Sequence, residues 1–141
     1  MGAYDDDNIF ARILRGEIPC SKVYEDDDTL AFLDIMPRSK GHVLVIPKVK
    51  AVDLTDIDPA ALAKLMTVVQ KLSPKIVKAL GADGFMIQQF NGAGAGQTVF
   101  HLHIHIIPRW EGESLKPHGT TMADKDELAE TAEVLSSALA D

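Results

Sequence analysis

Apolar residues at Ile9, Phe10, Ile13 and Leu14 recur at helical spacing over a short stretch, with Asp5 to Asp7 ahead as candidate caps and Gly16 behind as a stop. Val23 and Tyr24 mark a short strand over residues 21–25, and Asp26-Asp27-Asp28 reads as a polar turn whose spacing does not match a calcium loop. Residues 29–35 predict a second strand, with Leu30, Phe32 and Asp34 on one face and Ala31, Leu33 and Ile35 on the other. After a loop over 36–41, His42-Val43-Leu44-Val45-Ile46-Pro47 is apolar on both faces, as a central strand is. Asp58-Pro59 then opens a long helix in which Leu62, Leu65, Met66, Val69, Leu72, Ile76 and Leu80 form one stripe; Pro74 is expected to kink or divide it and Gly81 to close it. Residues 85–90 alternate as a further strand. From Asp124 to Leu139, the positions Leu128, Ala132, Leu135 and Leu139 predict a terminal amphipathic helix, packed on the body or on a second subunit, with its acidic residues early, where the helix dipole favours them.

One stretch carries chemistry as well as pattern. In His101-Leu102-His103-Ile104-His105-Ile106-Ile107 the histidines alternate with aliphatics at period two, so all three imidazoles share one face of a strand, roughly 6.5 Å apart. Leu102, Ile104 and Ile106 face a core and hold the register, because a slip of one residue would bury the histidines in their place. Imidazole serves as nucleophile, general base or general acid near neutral pH. Three on one face read as a catalytic site or a metal site, since paired strand histidines also suit zinc. For an ordinary imidazole nucleophile the rate should fall between neutral pH and pH 5 as the ring gains a proton.

The segments around this stretch extend the picture. Asn91 to Thr98 holds three glycines and leads directly into the histidines; it lacks the lysine of a Walker loop, but its backbone amides, with Gln97 and Thr98, are placed to meet a phosphate. Its simpler reading is a flexible turn. Asp34 either caps the following turn or accepts from a ligand hydroxyl. His42, heading the central strand, helps arrange the triad if the two strands are neighbours. Trp110 fills a core gap or covers a ligand, and His118, between Pro117 and Gly119, reads as solvated.

Composition narrows the classes. At 141 residues, 46% hydrophobic and 25% charged, the chain is one globular domain. A net charge of −7 argues against a polynucleotide-gripping surface, though not against a mononucleotide. No apolar run is long enough to span a bilayer, and Met1 to Asp7 carries three aspartates and no basic segment, so no membrane partner and no secretory leader are expected and the location expected is cytoplasmic. Cys20 is the only cysteine, which excludes an intrachain disulfide and a Cys-x-x-Cys clamp and leaves it an inert small residue.

The run from His101 to Ile107 resembles the signature of the histidine triad (HIT) superfamily. The resemblance extends through Ile9-Phe10, Arg15 to Pro19, Tyr24 to Asp27, Ala31 to Ile35, Gly41 to Lys48 and Asn91 to Thr98, and the order of elements is similar to the Hint (protein kinase C inhibitor-like) branch. It covers about residues 8 to 110, leaving 111–141 as a C-terminal extension of a single domain over 1–141. It implies an α+β fold, with an antiparallel sheet of about five strands, a long core helix, a short N-terminal helix and a C-terminal helix, commonly paired into a homodimer.

The resemblance further implies hydrolysis or transfer at the α-phosphate of purine nucleoside phosphoramidates or related adenylates. His103 would be the nucleophile, forming a nucleotidyl-imidazole that water hydrolyses. His105, Gln97 and Thr98, with Asn91 and Gly96 of the same loop, would contact phosphate and leaving group, His101 and His42 would orient the nucleophile, and Asp34 would hold ribose hydroxyls. Phe10, Ile18, Leu33 and Ile35 resemble an apolar slot for the purine. Some relatives bind a structural zinc through a Cys-x-x-Cys pair, a later histidine and the first triad histidine. Here those positions read Asn8, Ala11, Lys50 and His101, so no zinc and no other cofactor is expected. The alternatives are a non-catalytic nucleotide-binding or interaction protein, a dinucleoside polyphosphate hydrolase and a metal-dependent hydrolase.

Overall fold

A computed structural model describes residues 3–119 and 121–140. Five strands, β1 (Lys22–Glu25), β2 (Thr29–Leu33), β3 (Val43–Pro47), β4 (Gly84–Gln88) and β5 (Ile104–Arg109), form one antiparallel sheet in the order β1-β2-β3-β5-β4. The doubly apolar β3 is central, and every one of its residues is buried.

Three helices complete the α+β fold. The first, α1 (Ile9–Leu14), is capped by Asn8, whose side chain accepts from the Ala11 N–H at 2.9 Å, and not by the aspartates expected to cap it; Asp5 instead closes its own turn by accepting from Asp7. The long helix α2 (Pro59–Leu80) begins at an Asp58 cap and ends at Gly81 in the left-handed conformation. It runs through Pro74 undivided, because the missing N–H breaks one link of a ladder that the buried stripe of Leu65, Leu72 and Ile76 otherwise holds together. The terminal helix α3 (Lys125–Leu139) is capped by Asp124 and packs on α2 and β1.

Strand alternation assigns each side chain to one of two cores. Ala31, Leu33, Val43, Val45, Leu102, Ile104 and Ile106 face α2 and α3 in the larger core. Leu30, Phe32, Leu44 and Ile46 point the other way, into a smaller core closed by Phe10 of α1 with Cys20 at its margin. By the same alternation His42, with Leu44, and His105, beside Ile104 and Ile106, lie on the α1 face. The larger core therefore holds the sheet rigid while the smaller one leaves room for a cavity.

The histidine segment departs from the expected strand in one respect. Pairing of β5 with β3 begins only at Ile104, opposite Val45. Residues 101–103 peel away, and the Leu102 N–H goes to the Ala51 carbonyl at 2.8 Å instead. Alternation persists through the departure: Leu102 stays in the larger core. The turn before β3 requires Gly41, with φ +80, because a Cβ there would run into the Leu80 side chain. No helix among the described residues is long and apolar enough to cross a membrane.

Candidate active site

His42, His101, His103 and His105 are all buried, and each has an acceptor or donor that settles which ring nitrogen carries hydrogen. His103 Nδ1 lies 2.7 Å from the His101 carbonyl, which only accepts, so Nδ1 carries the hydrogen and the lone pair sits on Nε2. The ring packs edge-on to Phe10, with centroids 4.9 Å apart, and lines a cavity of about 240 Å³. A second chain of bonds runs the other way. The Arg38 N–H donates to His42 Nδ1 at 3.0 Å, which places the His42 hydrogen on Nε2; that group donates to His105 Nδ1 at 2.9 Å, so the His105 hydrogen is on Nε2. Among the described residues His105 Nε2 is buried with no hydrogen-bond partner. One ring thus offers a lone pair and its neighbour, at a centroid distance of 5.0 Å, offers an N–H. Centroids closer than two strand residues reflect rings tilted toward one another, with 56° between their planes.

Burial favours the uncharged form of each ring. It pushes His103 down to about 4, His42 to about 3 and His105 to about 2, and holds His101 below its ordinary value. The loss of nucleophile expected between neutral pH and pH 5 therefore moves below pH 5. Asp34 is shifted the opposite way, its carboxyl raised mainly by burial against the Met36 N–H that its Oδ1 accepts at 2.8 Å. That bond is the turn-capping role; Oδ2 is left 3.6 Å from His42 Nε2, too far for a hydrogen bond.

Of the residues singled out by sequence, Phe10, Ile18, Leu33, Asp34, Ile35, Thr98, His103 and His105 line the cavity. His42 reaches His105 and not the nucleophile, and His101 reaches His103 through its backbone carbonyl. Three loop residues are directed elsewhere. The Gln97 amide donates to the carbonyls of Val52 and Val99 and accepts from the Gly92 N–H, bracing the glycine loop from inside, so its side chain does not face a phosphate in the cavity. Asn91 accepts from the Leu54 N–H on the outer side of the loop, and Gly96, at φ +101, turns the chain against Phe90.

Two side chains that pattern did not single out belong to the site. Tyr4 donates its hydroxyl to His101 Nδ1 at 2.6 Å, while His101 Nε2–H donates to the Pro47 carbonyl. Nothing in an aspartate-rich N-terminus signals that pairing. His118, read as solvated, is instead half-buried, stacked edge-on to His105 and Phe90, and lines the cavity. The cavity surrounded by histidines and a phenylalanine draws in a ring that its Pro-Gly flanks make look exposed.

Metal fits neither grouping. At the four positions that the resemblance matches to zinc ligands, both His101 nitrogens are engaged, Asn8 caps α1, Ala11 has no donor, and Lys50 pairs with Asp6 at 2.6 Å. Asp34, His42 and His105 bring ligand atoms within 4.8 Å of one another, but the Arg38 amide keeps the His42 hydrogen on the nitrogen that would have to coordinate. Tyr4→Phe strips the buried His101 of its donor and is expected to cost about 1–3 kcal/mol of stability, read as a lower denaturant midpoint at unchanged slope.

Comparison with known proteins identifies the family. A family model described as "HIT domain" matches residues 15–112. Among curated proteins, adenylylsulfatase HINT3 of Arabidopsis thaliana is 46% identical over 127 residues, 86% of this chain, which spans 64% of that protein's length. Adenosine 5′-monophosphoramidase hnt1 of Schizosaccharomyces pombe is 44% identical over 101 residues, 72% of this chain and 73% of that protein. Among solved structures, a Hit-like protein from Bartonella henselae, described as involved in cell-cycle regulation and as holding an unknown ligand, superposes with a TM-score of 0.92 at 47% identity, covering 97% of this chain and 99% of that one. By sequence, fold and the placement of its three alternating histidines, the chain belongs to the histidine triad (HIT) family.

Proposed function

We propose that the protein is a nucleotide hydrolase or transferase that cleaves at the α-phosphate of purine nucleoside phosphoramidates or related adenylates through a nucleotidyl-His103 intermediate. The observation that carries this reading is the His101 carbonyl on His103 Nδ1, which aims an uncharged Nε2 lone pair from a ring lining the cavity. A neutral nucleophile is what displacement at a negatively charged phosphorus needs. His105 Nε2–H is a fixed donor for a non-bridging or leaving-group oxygen, and it serves without reorganising because the Arg38 amide and His42 set it in advance. Asp34 Oδ2 is available to ribose hydroxyls, and Phe10, Ile18 and Ile35 give the apolar wall a purine base requires. The names of the relatives in Arabidopsis and fission yeast supply the same substrate class, adenylates and adenosine phosphoramidates.

In the first step Nε2 bonds to phosphorus as the bond to the leaving group breaks; in the second, water displaces the imidazole and releases the nucleoside monophosphate. Neither step uses a metal or other cofactor. Rapid quenching of enzyme mixed with an adenosine phosphoramidate, followed by mass spectrometry of peptides, is expected to find adenylate on His103. A protein that binds the nucleotide and never forms the adduct is the non-catalytic alternative. We also propose a homodimer: β4 is an edge strand, and its Phe85 and Ile87 are 45% and 40% exposed.

A further inference from the structure

The hydrogen-bond chain that fixes His105 also limits it. To give its Nε2 hydrogen away for good, His105 would have to take one at Nδ1 from His42, and His42 could be refilled only from the Arg38 peptide N–H, which does not ionise. The chain can lend a hydrogen bond but cannot release a proton without leaving an imidazolate behind. A phosphoramidate whose leaving group is a basic amine nevertheless requires one, since nitrogen departs with the electron pair of the P–N bond.

His118 is placed to supply it. Its ring stands 5.6 Å from the His105 ring and 5.5 Å from that of Phe90, on the same cavity as His103. Among the described residues its Nδ1 is buried with no hydrogen-bond partner, as is His105 Nε2. Two unpaired buried nitrogens on touching rings are anomalous in a resting protein and are satisfied together if a ligand group seats between them. The ring as a whole is half-buried at the cavity wall. The segment that carries it is held on both sides: Lys116 N–H donates to the Arg38 carbonyl and Arg38 Nε to the Lys116 carbonyl, while the Ala123 N–H donates to Ile35. The titratable groups facing it are His42, His103, His105 and Asp34.

We propose that His118 is the acid that protonates the leaving group, and that this suits the site to nucleoside phosphoramidates of basic amines; this rests on the nucleotidyl-transfer reading above. As His103 Nε2 bonds to phosphorus, the P–N bond breaks and the amine nitrogen takes the proton from Nδ1 of the His118 imidazolium. In the second step neutral His118 takes a proton from the attacking water as the bond from phosphorus to His103 breaks. The product is the nucleoside monophosphate, and His103 is again neutral and His118 again charged.

The test compares two substrates that share adenylate and differ in leaving group: an N-alkyl adenosine phosphoramidate and the 4-nitrophenyl ester of AMP, whose nitrophenolate departs unprotonated. For His118→Ala and His118→Asn, kcat/KM for the amidate is expected to fall about 100-fold further than kcat/KM for the aryl ester, and the nitrophenolate still released from the ester shows that the fold and nucleophile are intact. Equal losses on both substrates, or no loss on the amidate, overturn the acid role. An Asn variant that keeps amidate activity does so too, because it reduces His118 to a hydrogen-bond donor. Wild-type enzyme that cleaves neither substrate overturns the nucleotidyl-transfer reading, and this proposal with it.

Discussion

His103→Ala is expected to lower kcat/KM for an adenosine phosphoramidate by on the order of 10⁴-fold or more, while AMP binding, measured calorimetrically, largely survives. The asymmetry follows from where the ring sits. Its bonding contribution is confined to the Nε2 lone pair, whereas the apolar wall around Phe10 and Ile18, the Asp34 carboxyl and the His105 N–H remain in place without it. His103→Asn keeps more of the volume beside Phe10 and should show the same loss, which separates missing chemistry from a collapsed cavity. A rate near that of wild type in either variant would remove the nucleophile from the role assigned to it. Because burial carries His103 down to about 4, the wild-type enzyme should retain a competent nucleophile at pH 5, and any fall in rate above that pH has to come from another group.

The same burial makes the fold sensitive to acid. In the unfolded chain each imidazole binds a proton near pH 6.5, whereas in the folded protein His42, His103 and His105 resist it down to about 3, 4 and 2. Below pH 6.5 the unfolded state therefore holds more protons than the native one, and stability must fall as pH falls. It is complete above pH 6.5, and by pH 5 each ring has removed roughly 2 kcal/mol, so that the three together take several kcal/mol from a domain of ordinary marginal stability. Thermal melts should show Tm dropping steeply from pH 7 to pH 5, with much of the slope lost in a His42→Leu, His105→Leu double variant. A melting temperature that is flat over this range would mean that the rings are not neutral and enclosed in the way the hydrogen bonds require.

Much of this is legible in the sequence. The alternation of residues 101–107 correctly set Leu102, Ile104 and Ile106 in the larger core, because period two follows from backbone geometry whether or not a strand is hydrogen-bonded at every residue. The doubly apolar run ending at Pro47 correctly marked the centre of the sheet, and Asp58-Pro59 and Gly81 bounded the long helix. What pattern could not reach were contacts made across long sequence separations. Tyr4 meets His101 from 97 residues away, and His118 meets His105 through a loop whose composition resembles that of any exposed turn. Gln97 shows the converse: chemistry and position both pointed to phosphate, but a glycine-rich turn needs its own internal acceptors and donors, and the amide was the side chain at hand.

The Arg38 peptide N–H, which anchors the His42–His105 chain, makes the aim of the His105 donor tolerant of mutation at position 38. A backbone hydrogen is encoded by nineteen of the twenty amino acids, so among codon changes at position 38 only one to proline deletes it. The orientation of the donor is thereby shielded from nearly all single-nucleotide change at the residue that imposes it. The side chain of Arg38 does separate work, holding Gln88 and the Lys116 carbonyl, so a substitution there leaves the His105 donor aimed while loosening the loop that carries His118.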